Sequence, residues 1–131
     1  MKQDLDVLIV EDNEEMIWMI GNALDQAGFA VDAETTAKGG IEQVRIHPEL
    51  KAVVLNYVLP DMSGIKVLDY LKKNGFRAEV IGISASSEVG SRFIAGGAMA
   101  FLEKPFDLNE LVRLCGEAVN GHGAPANARS F

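Results

Sequence analysis

Polar residues with complementary chemistry stand at the ends of four apolar runs in this sequence. They are Glu11 and Asp12 after the first run, Asn56 after the third, Ser84 after the fourth, and Lys104 with Pro105 after the fifth. Two adjacent carboxylates can share a proton or hold a hard cation, and Mg²⁺ binds one or two carboxylates together with phosphoryl oxygens. A lysine ammonium and a serine hydroxyl can hold further phosphoryl oxygens. These residue types indicate phosphoryl transfer, which depends mainly on positioning and charge neutralisation.

The nucleophile that such a site needs is missing at position 56. A carboxylate there could form an aspartyl phosphate. Asn56 instead carries an amide, whose delocalised lone pair makes it a poor nucleophile. The chain as written is therefore predicted to accept no phosphoryl group at this position and to have no enzymatic activity there.

Strands and helices are predicted to alternate along the whole chain. Strands are predicted at 5–10, 29–35, 51–55, 78–84 and 98–103, and helices at 14–28, 37–47, 64–75, 87–97 and 107–120. Strict alternation, with near-continuous apolar strands, indicates a doubly wound α/β fold with a parallel sheet covered by helices on both faces. The carboxyl ends of parallel strands meet at one edge of the sheet, so we expect the polar residues to converge in one cleft.

Length and composition indicate one domain, which we predict to span residues 4–120. Residues 121–131 are rich in Gly, Ala and Asn, and are predicted to be a flexible tail or the start of a linker. The single cysteine, Cys115, is predicted to lie in the core and is consistent with a cytoplasmic location. The net charge of −7 argues against direct binding to nucleic acid. No apolar run reaches the length of a membrane-spanning helix.

Taken together, the motifs resemble the receiver domain of two-component response regulators. The matching segments are the pair Glu11-Asp12, NYVLPDMSG at 56–64, SA at 84–85 and GGAMAFLEKPF at 96–106. The resemblance extends over residues 5–119. It implies a flavodoxin-like, five-stranded parallel sheet of order 2-1-3-4-5 between five helices.

The resemblance also implies how the site works. Mg²⁺ would be held by Glu11, Asp12 and the backbone carbonyl of Val58. An aspartate at position 56 would accept a phosphoryl group from a phosphohistidine on a sensor histidine kinase or a histidine phosphotransfer domain. A parent with aspartate at that position would catalyse its own phosphorylation and its own dephosphorylation.

A conformational switch is implied as well. Ser84 and Lys104 would hold the phosphoryl oxygens. Ser84 would then move inward and Phe101 would rotate, altering the face formed by helix 4, strand 5 and helix 5. That face would dimerise or bind an output partner. The bond between Lys104 and Pro105 is expected to be cis, which X-Pro bonds permit most easily.

Asn56 departs from the family pattern and leaves two functional hypotheses open. The chain can be a phosphorylation-blocked form of a working receiver, held in the inactive state with weakened Mg²⁺ binding. Alternatively, it can be a natural pseudo-receiver that acts as a protein-interaction module without phosphorylation. Glu11 is a smaller departure, because aspartate is more usual there. A flavin carrier of the same fold is disfavoured, because the acidic pair after strand 1 would repel a flavin phosphate.

Helix 1 carries a candidate docking residue. Its apolar face is predicted to consist of Met16, Ile20, Leu24 and Ala27. Trp18 lies nearly opposite that face, and an exposed tryptophan is a favoured anchor in protein interfaces. We predict that Trp18, together with Pro105, contacts the phosphodonor partner. The alternative is that Trp18 lies flat against a neighbouring loop.

Overall fold

The computed structural model describes residues 4–121, and these form five alternating strand and helix units. The strands are β1 (Val7–Val10), β2 (Val31–Glu34), β3 (Ala52–Asn56), β4 (Glu79–Ser84) and β5 (Ala100–Glu103). The α-helices are α1 (Glu14–Gln26), α2 (Ala37–Ile46), α3 (Gly64–Lys73), α4 (Gly90–Ala95) and α5 (Leu108–Gly121). Gly121, the first residue of the predicted tail, belongs to α5. The other residues of that tail, 122–131, lie outside the described part of the chain.

All five strands are parallel and lie in the order β2-β1-β3-β4-β5, which confirms the predicted fold class. β1, β3 and β4 occupy the interior of the sheet, and nearly all of their residues are buried. The more polar β2 is an edge strand, so only one side of it is paired. This arrangement brings the carboxyl ends of β1, β3 and β4 side by side.

The core has two layers, one on each face of the sheet. Leu8 and Val10 of β1 point into a layer covered by α2, α3 and α4. Val7 and Ile9 point into the other layer, which is covered by α1 and α5. The alternation follows from the period of two in an extended strand. Both faces must therefore be apolar, and this is why the central strands are apolar between their ends, with Glu79 at the start of β4 and the polar Asn56 and Ser84 at the carboxyl ends of β3 and β4.

Local side chains fix where the helices nearest the cleft begin. The Asn13 side chain accepts a hydrogen bond from the backbone of Met16 at 2.9 Å, which starts α1 directly after the acidic pair. Ser63 caps α3 in the same way through the backbone N–H of Lys66, at 3.3 Å. Such caps satisfy N–H groups that have no partner within the helix. They place both helix starts beside the carboxyl edge of the sheet.

Two details of the helices differ from the prediction. Ala27 is exposed and does not extend the buried face of α1. The helix ends at Gln26, because the chain then turns through Gly28 with a φ of +96°. The predicted helix at 87–97 is a 3₁₀ turn (Ser87–Val89) followed by the short α4. It ends where Gly97 adopts a φ of +102°, a conformation that side-chain-bearing residues rarely take.

Candidate functional site

A buried carboxylate lies at the centre of the cleft. Glu11 directly follows β1 and is only 1% exposed. Its Oε1 accepts from Lys104 Nζ at 2.7 Å, and its Oε2 accepts from Asn56 Nδ2 and from the backbone N–H of Asn13, each at 3.1 Å. Buried charges require this kind of pairing, because an unpaired carboxylate in the interior would be strongly destabilising. Glu11 thereby joins the ends of β1, β3 and β5.

Asn56 is the last residue of β3 and is only 5% exposed. Its Nδ2 makes two hydrogen bonds, to Glu11 Oε2 at 3.1 Å and to the backbone carbonyl of Val58 at 2.7 Å. Both partners are acceptors, so only the nitrogen of the amide can occupy this position. The orientation of the side chain is therefore fixed by its surroundings.

Ser84 and Lys104 reach the same edge from β4 and from the segment after β5. Ser84 is buried, and its Oγ accepts from the backbone N–H of Ser86 at 3.0 Å. The Lys104 backbone N–H donates to the Ser84 carbonyl at 2.8 Å, which fixes the two residues relative to each other. The peptide bond between Lys104 and Pro105 is cis, as expected. The structure thus brings Glu11, Asn56, Ser84 and Lys104 together at one edge of the sheet.

The predicted Mg²⁺ ligands do not form an open site for the cation. Asp12 is exposed and has no hydrogen bond or ion pair to another residue of 4–121. The other two predicted ligands, Glu11 and the Val58 carbonyl, already bind the Asn56 amide. Within the described residues, no group of three or more His, Cys, Asp and Glu side chains could hold a metal ion. The donor set of this chain, in this arrangement, does not fit Mg²⁺.

Phe101, the predicted switch residue, is half-buried beneath α4. Its ring stacks on that of Phe93, with centroids 5.6 Å apart. A Cβ atom at Gly90 would come within 2.8 Å of the Phe101 ring, so the glycine leaves the space that the ring occupies. Phe93 itself is fully buried over Gly82 of β4. The position of Phe101 is therefore coupled to the packing of α4 on the sheet.

Two side-chain contacts near the cleft were not predicted from the sequence. Arg92 of α4 donates to Tyr57 Oη at 3.2 Å, and its guanidinium lies 5.6 Å from the centre of that ring. The Asp61 carboxylate accepts from the backbone N–H groups of Ala37 and Lys38, at 2.8 and 3.0 Å. These hydrogen bonds lower the pKa of Asp61 from its ordinary value. The partners of both contacts lie far apart in the sequence, and no local pattern would have revealed them.

The two predicted docking residues are exposed, and the single cysteine is buried. Trp18 is 68% exposed and borders a groove between α1 and the edge strand β2, and Pro105 is also exposed. Cys115 is buried on the inner face of α5, and burial raises the pKa of its thiol to about 12. A thiol with so high a pKa is unreactive at neutral pH. None of the helices within residues 4–121 has the length and apolar character required to cross a membrane.

The parallel sheet, with polar side chains gathered at its carboxyl edge, agrees with the resemblance found in the sequence. The family model of the response regulator receiver domain matches residues 7–115. The chain belongs to this family and is a receiver domain of the two-component type. Receiver domains of this family generally bind Mg²⁺ and interact with histidine kinases.

Curated relatives with similar sequences are transcriptional regulators. TctD of Salmonella typhimurium is 37% identical over 108 residues, which are 80% of this chain and 47% of that protein. CtrA of Caulobacter vibrioides, a cell cycle transcriptional regulator, is 32% identical over 108 residues, covering 81% of this chain and 46% of that protein. The chain thus spans about half the length of these relatives.

A solved structure supports the same fold. The receiver domain of the Francisella response regulator 1452 superposes with a TM-score of 0.84, at 22% identity, covering 90% of this chain and 98% of that one. At this level of identity the likeness shows the fold alone.

Proposed function

We propose that this chain is a phosphorylation-blocked receiver, in which position 56 is the phosphoacceptor site and Asn56 holds the inactive state. The observation that supports this proposal is the cluster of buried Glu11, Asn56 and Ser84 with the partly buried Lys104. A domain that neither accepts phosphoryl groups nor derives from one that does has no physical need for an acid, a hydroxyl and an ammonium in one cleft. The cluster thus supports a working pocket in which an amide NH₂ group replaces one carboxylate oxygen at position 56.

With an aspartate at position 56, the chemistry would be a direct transfer from nitrogen to oxygen. A carboxylate oxygen of that aspartate attacks the phosphorus of phosphohistidine, and the P–N bond breaks. The imidazole nitrogen keeps the electron pair of that bond and takes up a proton. Lys104 and Ser84 hold the oxygens of the transferred group at the edge of the sheet. In Asn56 the nitrogen lone pair is delocalised and the first of these steps is barred.

We also propose a phosphodonor, a cellular location and an output face for this domain. A sensor histidine kinase or a histidine phosphotransfer domain would be the phosphodonor, in the cytoplasm. The α4-β5-α5 face would respond through Phe101 and would dimerise or bind an output partner. Loss of one negative charge at position 56 would weaken Mg²⁺ binding relative to a chain with aspartate there.

The competing proposal is a natural pseudo-receiver that binds partners without phosphorylation. The observation in its favour is that Asn56 fits its site well, since its Nδ2 has two good acceptors. In that case the cleft would serve only as a structural core for an interaction surface. The two proposals differ in whether an aspartate at position 56 restores the reaction.

Intact-mass spectrometry decides between them. The chain and Asn56→Asp are incubated side by side with Mg²⁺ and a small acyl phosphate. We expect Asn56→Asp to gain the mass of one phosphoryl group and the unaltered chain to gain none. If Asn56→Asp also gains none while remaining folded, the pocket is inert and the pseudo-receiver proposal replaces this one.

Trp18→Ala is expected to weaken binding to the phosphodonor about fivefold or more, because a tryptophan anchor buried in an interface contributes over about 1 kcal/mol. The measurement is the affinity of a kinase or phosphotransfer domain that phosphorylates Asn56→Asp. Tyr70→Ala on α3 is the matched control, since Tyr70 is also an exposed aromatic residue. Unchanged affinity for Trp18→Ala would remove Trp18 from the docking surface.

A further inference from the structure

The Asn56 amide nitrogen lies between two of the groups that the family resemblance assigns to the metal. It donates to Glu11 Oε2 at 3.1 Å and to the Val58 carbonyl at 2.7 Å. A cation at this edge of the sheet would have to draw the same two oxygens together. The amide carries two N–H groups with partial positive charge, and each of them points at one of these oxygens.

The buried carboxylate of the cleft is paired with a cation of the protein itself. Glu11 has its second oxygen on Lys104 Nζ at 2.7 Å, so one buried carboxylate meets one ammonium group. An aspartate at position 56 would place a second carboxylate beside Glu11, and two close carboxylates repel each other unless a proton or a cation intervenes. Asn56 removes that repulsion and adds a donor to the same group.

We infer that the Asn56 carboxamide is a built-in replacement for the cation, which makes the closed pocket of this chain independent of Mg²⁺. The Nδ2 group ties the segment after β1 to the segment after β3, and this is the link that a metal would otherwise provide. The inference rests on the proposed function and on the Mg²⁺ ligands that the family resemblance implies. The proposed function attributes weaker Mg²⁺ binding only to the lost negative charge. Here the amide also competes with the metal for the same oxygens.

Competition and charge loss make different predictions for Asn56→Ala. This variant lacks the negative charge of aspartate and also lacks the amide donor. If charge loss alone weakens Mg²⁺ binding, Asn56→Ala and the unaltered chain should respond to Mg²⁺ equally little. If the amide blocks the site, Asn56→Ala should respond more strongly. Its Val58 carbonyl loses the amide donor, and its Glu11 Oε2 keeps only the Asn13 N–H, so both oxygens can bind the ion.

The test is thermal unfolding of the chain, Asn56→Ala and Asn56→Asp, each with EDTA and with millimolar Mg²⁺. We expect no Mg²⁺-dependent shift for the unaltered chain. Asn56→Ala should melt about 4 °C or more lower in EDTA, because buried acceptors lose their donor, and Mg²⁺ should recover at least half of that loss. Asn56→Asp should be stabilised by Mg²⁺. Asn22→Ala, which alters an exposed amide on α1, is the control and should respond as the unaltered chain does.

Two results would overturn the inference. One is an Mg²⁺-dependent rise in Tm for the unaltered chain that equals the rise for Asn56→Asp. The other is an Asn56→Ala variant that responds to Mg²⁺ no more strongly than the unaltered chain, whatever its stability in EDTA. If Asn56→Ala does not fold, ¹⁵N spectra of the unaltered chain decide. The Asn56 side-chain NH₂ signals should stay unmoved by Mg²⁺, and a shift would contradict the inference. Phosphorylation of Asn56→Asp does not depend on these outcomes, so the two proposals can fail separately.

Discussion

Glu11→Ala is expected to lower the free energy of unfolding by about 2–4 kcal/mol. The substitution removes the acceptor shared by Lys104, Asn56 and the backbone of Asn13. Removing one partner of a buried pair leaves the other charge uncompensated. The Lys104 side chain is 19% exposed and can recover part of its hydration, which keeps the loss below the upper limit for fully buried pairs. Chemical denaturation of both proteins under the same conditions measures the difference.

An exposed ion pair in the same molecule provides the matched control. Asp69 and Lys73 of α3 lie 3.1 Å apart, with side chains 61% and 74% exposed. Asp69→Ala is expected to change stability by no more than about 0.5 kcal/mol, because water screens such pairs. A double-mutant cycle that combines Glu11→Ala with Lys104→Met measures the interaction free energy between Glu11 and Lys104. Equal, small effects of Glu11→Ala and Asp69→Ala would show that the cleft cluster does not stabilise the fold.

Gly64→Ala is expected to destabilise the protein by about 2–3 kcal/mol and to distort the acceptor position. The first residue of α3 packs directly on the backbone after β3. Its N–H donates to the Tyr57 carbonyl at 2.7 Å. A Cβ atom there would overlap the carbonyl oxygen of Asn56 and lie 3.1 Å from Tyr57 Cα. These are backbone atoms, so the clash can be relieved only by moving the loop that carries the site.

Gly116→Ala in α5 is the control for this substitution. Its Cβ would have Phe29 Cζ as nearest neighbour at 3.9 Å, an ordinary van der Waals distance. Alanine within a helix is favoured over glycine, so this variant should gain about 0.5–1 kcal/mol. Denaturant midpoints measured for both variants should show a loss of stability for Gly64→Ala and a gain for Gly116→Ala. A Gly64→Ala protein as stable as Gly116→Ala would mean that the β3–α3 connection is looser than the structure shows.

The features that sequence reasoning anticipated are those set by repeating patterns. Alternating apolar runs and helical segments determined the five units, and the polar residue ending each central strand located the cleft. Asn56 and Ser84 were placed correctly because parallel strands all present their carboxyl ends on one edge. The strand order itself came from the resemblance. The low polarity of β1, β3 and β4 indicated only that these strands are interior.

The features that were missed depend on three-dimensional packing. The hydrogen bond from Asn56 Nδ2 to Val58 depends on the backbone conformation directly after β3, and the bond to Glu11 depends on β1 and β3 being neighbours. No periodicity encodes either. The contact between Arg92 and Tyr57 joins α4 to a loop 35 positions earlier. Ala27 has the spacing of a buried helical residue, but the helix has already ended before the turn at Gly28. Turn geometry overrides periodicity at such positions.

The central claim is that residue 56 is the phosphoacceptor position of a formed pocket and that the amide alone bars the reaction. Peptide mapping after borohydride treatment tests it most directly, because borohydride reduces an aspartyl phosphate to homoserine. Asn56→Asp and the unaltered chain are first incubated with Mg²⁺ and a small acyl phosphate. The account predicts homoserine at position 56 in Asn56→Asp and unmodified Asn56 in the unaltered chain. Homoserine at Asp12 or another aspartate in both proteins, or none in either, would contradict it.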